Sequence, residues 1–156
     1  MDTQHHYELT VNWTGDRGTG TSHYAEYDRS HTIRIAGKPT IEASSDAPFR
    51  GDVSKHNPED LFLASLSTCH MLWYLHLCAD AGVIVTGYED RATGTLSIGE
   101  GNGSFTEVTL HPFVTVKDAS MVATANALHK TANERCFIAN SIKATVGHEP
   151  QCVVGG

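Results

Sequence analysis

The sequence predicts an α+β fold built on one long apolar helix, and three observations carry that prediction. Short runs rich in Thr, Val, Ile and Tyr, each closed by Gly, Asp or Ser, fill the N-terminal part and return in the C-terminal half. Between them lies "NPEDLFLASLSTCHMLWYLHLCADAG", residues 57–82, which holds the most apolar stretch of the chain. The resulting order is strands, helix, strands, helix, strand, which is not the regular alternation that builds a parallel sheet.

Taken in order, "HYELTVNWTG", "GTGTSHYAEY" and "HTIRIAG" read as strands, and the glycines of "GDRGTGTS" permit a turn or bulge between the first two. "IEASSDAPFRGDVSKH" reads as a polar loop, longer than a routine connection, and such loops are often functional. The helix start is well marked. Asn57 is a good N-cap, Pro58 suits the first helical position, and Glu59 and Asp60 complement the helix dipole. The helix is expected to run to about Ala81 and stop at Gly82, buried on most sides. "IVTGYEDRATGTLSIG" and "SFTEVTLHPFVTVK" read as strands around an "EGNG" turn. A second helix is expected over Ala119–Glu134, and a closing strand over about Ile142–Val146 leads to a short tail. There is no repeat, linker or low-complexity block, so residues 1–156 are expected to form a single domain.

Composition narrows the function classes. Lys and Arg number 11 against 18 Asp and Glu, a formal charge of −7 with no basic run, which argues against a general nucleic-acid binder. The N-terminal "MDTQHHYELT" lacks a signal-peptide pattern, and the apolar run contains His76 and Asp80, so it reads as a core helix rather than a membrane span. A cytoplasmic protein with no membrane partner is expected. In a reducing compartment its four cysteines are free, metal-bound or redox-active rather than a static disulfide framework. They are spaced nine, fifty-eight and sixteen residues apart with no C-x-x-C, which argues against a zinc ribbon or a thioredoxin-type motif.

Nine helical residues turn through about 900°, so Cys69 and Cys78 face opposite ways and cannot share a pocket. Cys78, between Leu77 and Ala79, reads as core. Cys69 has more polar neighbours, Ser67, Thr68 and His70, and from the helix alone it is either a small buried hydrophobe or a reactive thiol. Cys136 follows the second helix with Arg135 beside it, and Cys152 in the tail reads as incidental. Ten histidines raise the question of a metal, but there is no H-x-x-x-H pair, and His5-His6 sits at a terminus. Neither a metal nor another cofactor is expected.

The segment "NPEDLFLASLSTCHM" resembles the signature of the OsmC/Ohr family, the osmotically inducible and organic-hydroperoxide-resistance proteins. Glu59 and Cys69 match its N-P-E-x-L start and the reactive cysteine ten residues later, and Cys136 in "ERCFIANS" matches the position of its second cysteine. The likeness covers nearly the whole chain, including the order of elements. Phe137, Ile138 and Ala139 replace the family's usual Pro and Ser, and His70 stands where an aromatic is common, which marks a divergent subgroup.

The resemblance implies an OsmC-like α+β fold, with antiparallel sheets around the long buried central helix, in an intertwined homodimer. It also implies a thiol peroxidase for organic hydroperoxides, with hydrogen peroxide as a further substrate. Cys69 would attack the peroxide and become a sulfenic acid, Cys136 would condense with it, and an external dithiol reductant of lipoyl or thioredoxin type would reduce the disulfide. Burial raises a thiol's pKa, so a cation is needed beside Cys69. Arg50 stands where OsmC-type members carry their arginine and Arg17 where Ohr-type members do. Arg50 is favoured, with Glu59 gripping its guanidinium. Glu59 and Cys69 are about 15 Å apart along one helix, so Glu59 is expected to serve Cys69 of the partner subunit. The rival expectation is a non-catalytic, small-molecule-binding or stress-associated protein of the same fold. A metal-binding protein is the third.

Overall fold

The structure, a computed structural model of the chain, describes residues 2–155 and divides into two compact units, Met1–Leu61 and Phe62–Gly156. The first unit is a three-stranded antiparallel meander: β1 (Thr10–Trp13), β2 (His31–Arg34) and β3 (Ile41–Ala43), in that spatial order. Two expectations fail in this unit. "GTGTSHYAEY" forms turns rather than a strand, joined to its surroundings by a lone bridge between Asp16 and Tyr27. The Asp16 carboxylate accepts from the amides of Gly18 and Gly20 at 2.8 and 2.9 Å. The Arg29 guanidinium lies over the rings of Tyr24 and Tyr27, 4.2 and 4.0 Å from their centroids. These local contacts override the strand propensity of the tyrosines. The expected polar loop begins with β3 and contains a 3-10 turn at Ala47–Phe49.

The long helix, α1, spans Pro58–Asp80. Its start is a reciprocal capping box: the Asp60 amide donates to Asn57 Oδ1 at 2.8 Å, and the Asn57 amide to Asp60 Oδ2 at 3.2 Å. Gly82, at φ 72°, ends it in the left-handed conformation, and the Val83 amide turns back onto the Cys78 carbonyl at 2.8 Å.

The second unit holds β4 (Val85–Asp90), β5 (Thr93–Ile98), β6 (Gly103–Leu110), β7 (Pro112–Val116), α2 (Val122–Arg135), β8 (Thr145–His148) and β9 (Gln151–Val154). They form two three-stranded sheets, ordered β4-β7-β9 and β5-β6-β8. Each of the two long strands read from the sequence is thus two strands in different sheets. The corner is held by Asp90, whose carboxylate accepts from the His111 amide at 2.7 Å and the Ser67 hydroxyl at 2.5 Å. The sheets are mixed rather than purely antiparallel, because β8 runs parallel to β6 and β9 parallel to β7. The expected tail is therefore largely β9. Cys152 lies opposite Val114 in it and packs against the core.

The core has two clusters: Tyr74, Leu77, Cys78, Val83, Val114, Val116, Ala125 and Ala132 in one, and Leu66, Val108 and Leu110 in the other. The buried residues of α1 are Leu66, His70, Tyr74, Leu77 and Cys78, a single face. Burial on most sides is therefore not found, and Leu72 on the outer side is 63% exposed. By length and composition α1 could also cross a membrane, but its inner face is packed in the protein core.

Candidate active site

Cys69 on α1 and Cys136, the C-terminal cap of α2, are both free thiols, near enough for Cys69 to raise the pKa of Cys136. Cys69 is half-buried, whereas Cys136 is only 1% exposed. Burial, opposed by the Ala139 amide donating to its Sγ at 3.4 Å and helped by the neighbouring Cys69, raises the Cys136 thiol to about 11. Cys136 therefore stays protonated at neutral pH, and Cys69 is the thiol a dissolved reactant meets first.

The turn after α2 fixes this arrangement. The Asn140 amide donates to the Cys136 carbonyl at 3.0 Å, the Asn140 side chain to the Glu134 carbonyl at 3.0 Å, and the Ser141 hydroxyl to the Phe137 carbonyl at 2.7 Å. Exposed Phe137 meets Trp73 edge-on at 5.4 Å. The Arg135 guanidinium lies 5.7 Å from the centre of the same indole, an engagement with the ring rather than with the thiol. The polar neighbours of Cys69 are also engaged: Ser67 with Asp90, and Thr68 with the Ala64 carbonyl at 2.7 Å. Cys78 lies in the core, where burial raises its pKa, in keeping with its reading as a space-filling residue.

The two arginines and Glu59 belong to the first unit. Arg17 is engaged locally, with its Nε 3.7 Å from Asp28 Oδ1 and its guanidinium donating to the Ala25 carbonyl. Arg50 caps the short 3-10 turn at φ 63°; among the described residues no other non-glycine has a positive φ. The next residue must be glycine, because a Cβ on Gly51 would come within 1.5 Å of the Ser45 carbonyl oxygen. Arg50 lines a polar cleft of about 280 Å³ with Asp28, Arg29, Ser44 and Asp52. Among the described residues neither Arg50 nor Glu59 makes an ion pair, so the expected grip of Glu59 on Arg50 does not form within the chain.

Sequence reasoning missed a buried imidazole pair. His70, read as a polar neighbour of Cys69, is fully buried, and its Nε2 lies 3.0 Å from Nδ1 of His129 on α2, which is 1% exposed. The available signal was spacing: His70 falls in the series Leu66, His70, Tyr74, Leu77, and His129 lies between Ala125 and Ala132. Burial, with His148 nearby, lowers His70 to about 4; burial, with His70 and His148, lowers His129 to about 3. Both rings are neutral in the folded protein but take up protons below about 6.5 when unfolded. Stability is therefore expected to fall with acidification from about pH 6.5 toward pH 4, by about 1.4 kcal/mol per pH unit for each imidazole. A thermal melting midpoint unchanged between pH 7 and pH 5 would contradict this. The carboxylates of Asp16, Asp52 and Asp118, held low by hydrogen bonds to amides and hydroxyls, lose their contribution only at lower pH.

Among the described residues no group of three or more His, Cys, Asp or Glu is arranged to hold a metal. A cleft of about 670 Å³ lined by Glu89, Arg91, His111, Phe113, Glu149 and Gln151 includes neither thiol. Its ionisable side chains already have partners, Arg91 with Glu89 and His111 with Glu149. The thiol pair is therefore the better candidate for chemistry.

An α+β fold with one cysteine on its long helix and a second at the end of the next helix defines a class of small dithiol proteins. The chain belongs to the OsmC family: the OsmC-like protein family matches residues 51–150. It is similar to an OsmC-like protein of unknown function from Vibrio cholerae, with 31% identity, 95% of this chain and 100% of that one covered, and a TM-score of 0.84. Its fold is also that of an organic hydroperoxide resistance protein from Elizabethkingia anophelis, at 18% identity, 99% and 100% coverage and a TM-score of 0.70. A Bacillus subtilis organic hydroperoxide resistance protein matches at 18% identity, 96% and 98% coverage and a TM-score of 0.60. No curated protein matches the chain in sequence.

Proposed function

We propose that the protein is a cytoplasmic thiol-dependent peroxidase that reduces organic hydroperoxides. The observation that carries this reading is the proximity of the Cys69 and Cys136 thiols, one half-buried and one buried, which raises the pKa of Cys136. The Cys69 thiolate attacks the distal peroxide oxygen. The O–O bond breaks, the alkoxide takes a proton and leaves as an alcohol, and Cys69 becomes a sulfenic acid. The Cys136 sulfur displaces the sulfenic hydroxyl, which leaves as water with the Cys136 proton, and a disulfide forms. An external dithiol, of lipoyl or thioredoxin type, regenerates both thiols and is itself oxidised. The organic hydroperoxide resistance proteins of the same fold support the choice of substrate. Consumption of dithiol that depends on added organic hydroperoxide tests the reading. Its absence in the reduced protein favours a non-catalytic, small-molecule-binding role instead.

Two features support Arg50 as the activating cation. Its guanidinium has no ion-pair partner among the described residues, whereas Arg17 is held by Asp28, and its left-handed backbone is the kind of strain that collects at functional sites. Arg50→Lys is expected to lower peroxidase activity about tenfold, because an ammonium cannot reproduce the planar fork. Arg17→Lys is expected to leave it within about twofold. If only the Arg17 variant is damaged, Arg17 is the activating cation.

The working form is proposed to be a homodimer. Exposed apolar side chains such as Leu72 on the outer side of α1 suit a second copy, and α1 runs unbroken from Glu59 to Cys69, which suits a site completed by the partner's Glu59. A monomer in sedimentation would remove this part of the proposal.

A further inference from the structure

The imidazole pair between α1 and α2 has consequences beyond the thiol chemistry. The rings of His70 and His129 meet almost head-on, with an interplanar angle of 4° and centroids 5.3 Å apart. The hydrogen bond between them uses one nitrogen of each ring. The outer nitrogens, His70 Nδ1 and His129 Nε2, are buried and hydrogen-bond to no protein group. Around them, Tyr74 stacks on His129 with centroids 3.9 Å apart, and the His148 ring lies 5.8 Å from His70 and 6.2 Å from His129. His148 Nδ1 and the hydroxyls of Tyr74 and Tyr88 are likewise buried without a hydrogen-bond partner. The Cys78 thiol, a weak hydrogen-bonding group, is near the Tyr74 hydroxyl. Asp90, whose charge acts on His70, is already engaged with Ser67 and the His111 amide.

Simple proton counting limits what can satisfy the outer nitrogens. Two neutral imidazoles that share one N–H carry two protons on four nitrogens. Whichever ring donates, one outer nitrogen is an N–H donor and the other a bare acceptor. A buried donor and a buried acceptor both need a partner. A metal ion fits poorly, because the inner lone pairs are committed to each other and no cluster of ligands is present among the described residues. The outer nitrogens are roughly 7 Å apart, one hydrogen bond plus two ring widths, and a single molecule making two bonds of about 2.9 Å cannot span that. The occupants must be small and neutral, able to donate at one end and accept at the other.

We propose that the His70–His129 pair is a site for internal water, with one ordered molecule at His70 Nδ1 and another at His129 Nε2. His148 Nδ1 and the Tyr74 and Tyr88 hydroxyls are the further partners of these waters. His148 is half-buried and is the most exposed of the three histidines. A water–imidazole–imidazole–water array of this kind can pass a proton from one end to the other by exchanging both tautomers, with no net charge left in the core.

Two measurements on the reduced, unmodified protein test this. Nitrogen-15 NMR of histidine-labelled protein at pH 7 is expected to show two neutral rings of defined tautomer, with the outer N–H of one cross-relaxing with water. A protonated ring, or an outer N–H without a water cross-peak, overturns the proposal. An atomic-resolution crystal structure is expected to show an ordered water on each outer nitrogen. Rings turned so that protein groups satisfy those nitrogens, or an anomalous peak from a metal, overturn it as well.

Discussion

Cys69→Ser is expected to reduce hydroperoxide turnover by on the order of a thousandfold or more, to the background of the buffer, as loss of a nucleophile does elsewhere. The physical reason is acidity and polarisability. A serine hydroxyl does not ionise near neutral pH and is a poor nucleophile toward peroxide oxygen, whereas a thiolate is a good one. The site tolerates the exchange structurally, because Cys69 is half-buried and lies outside both core clusters. A melting midpoint close to that of the unmodified protein is therefore expected, and a variant that keeps both its fold and its turnover removes Cys69 from the mechanism.

Cys136→Ser is expected to separate the first turnover from the rest. The initial reaction with one equivalent of hydroperoxide proceeds, because Cys69 is intact. Steady-state turnover with a dithiol falls by about tenfold or more, since no disulfide forms for thiol exchange to reduce. Under excess peroxide, sulfinic acid accumulates at Cys69. The serine hydroxyl can take over the hydrogen bond from the Ala139 amide, so the buried site is not left with an unpaired polar group. A steady-state rate equal to that of the unmodified protein would show that Cys136 does not resolve the sulfenic acid.

How much of this was legible in the sequence depended on the range of the contacts. The limits of α1 were readable because their causes are local: Asn57 and Asp60 cap one end and Gly82 unwinds the other. The split of the two long strands was not, because it rests on Asp90 meeting His111, twenty-one positions on, and Ser67 on the helix. Residues 18–27 carry strand-forming tyrosines, but the Asp16 carboxylate and the Arg29 guanidinium gather them into turns. The strand identity of residues 151–154 depends on parallel pairing with β7, which no local pattern announces.

The candidate site divides the same way. Opposite faces for Cys69 and Cys78 followed from helical geometry, and Cys78 lies in the core. Helical geometry left the reactivity of Cys69 open, and the family resemblance paired it with Cys136. The His70–His129 contact, across fifty-nine positions, was hidden because histidine reads as polar in a sequence and as core only when its partner is known.

The most direct measurement is the intact mass of the reduced protein after one equivalent of an organic hydroperoxide, followed by peptide mapping. The account predicts a loss of about 2 Da, with a single disulfide joining Cys69 to Cys136. An unchanged mass, or a disulfide that omits either residue, contradicts it.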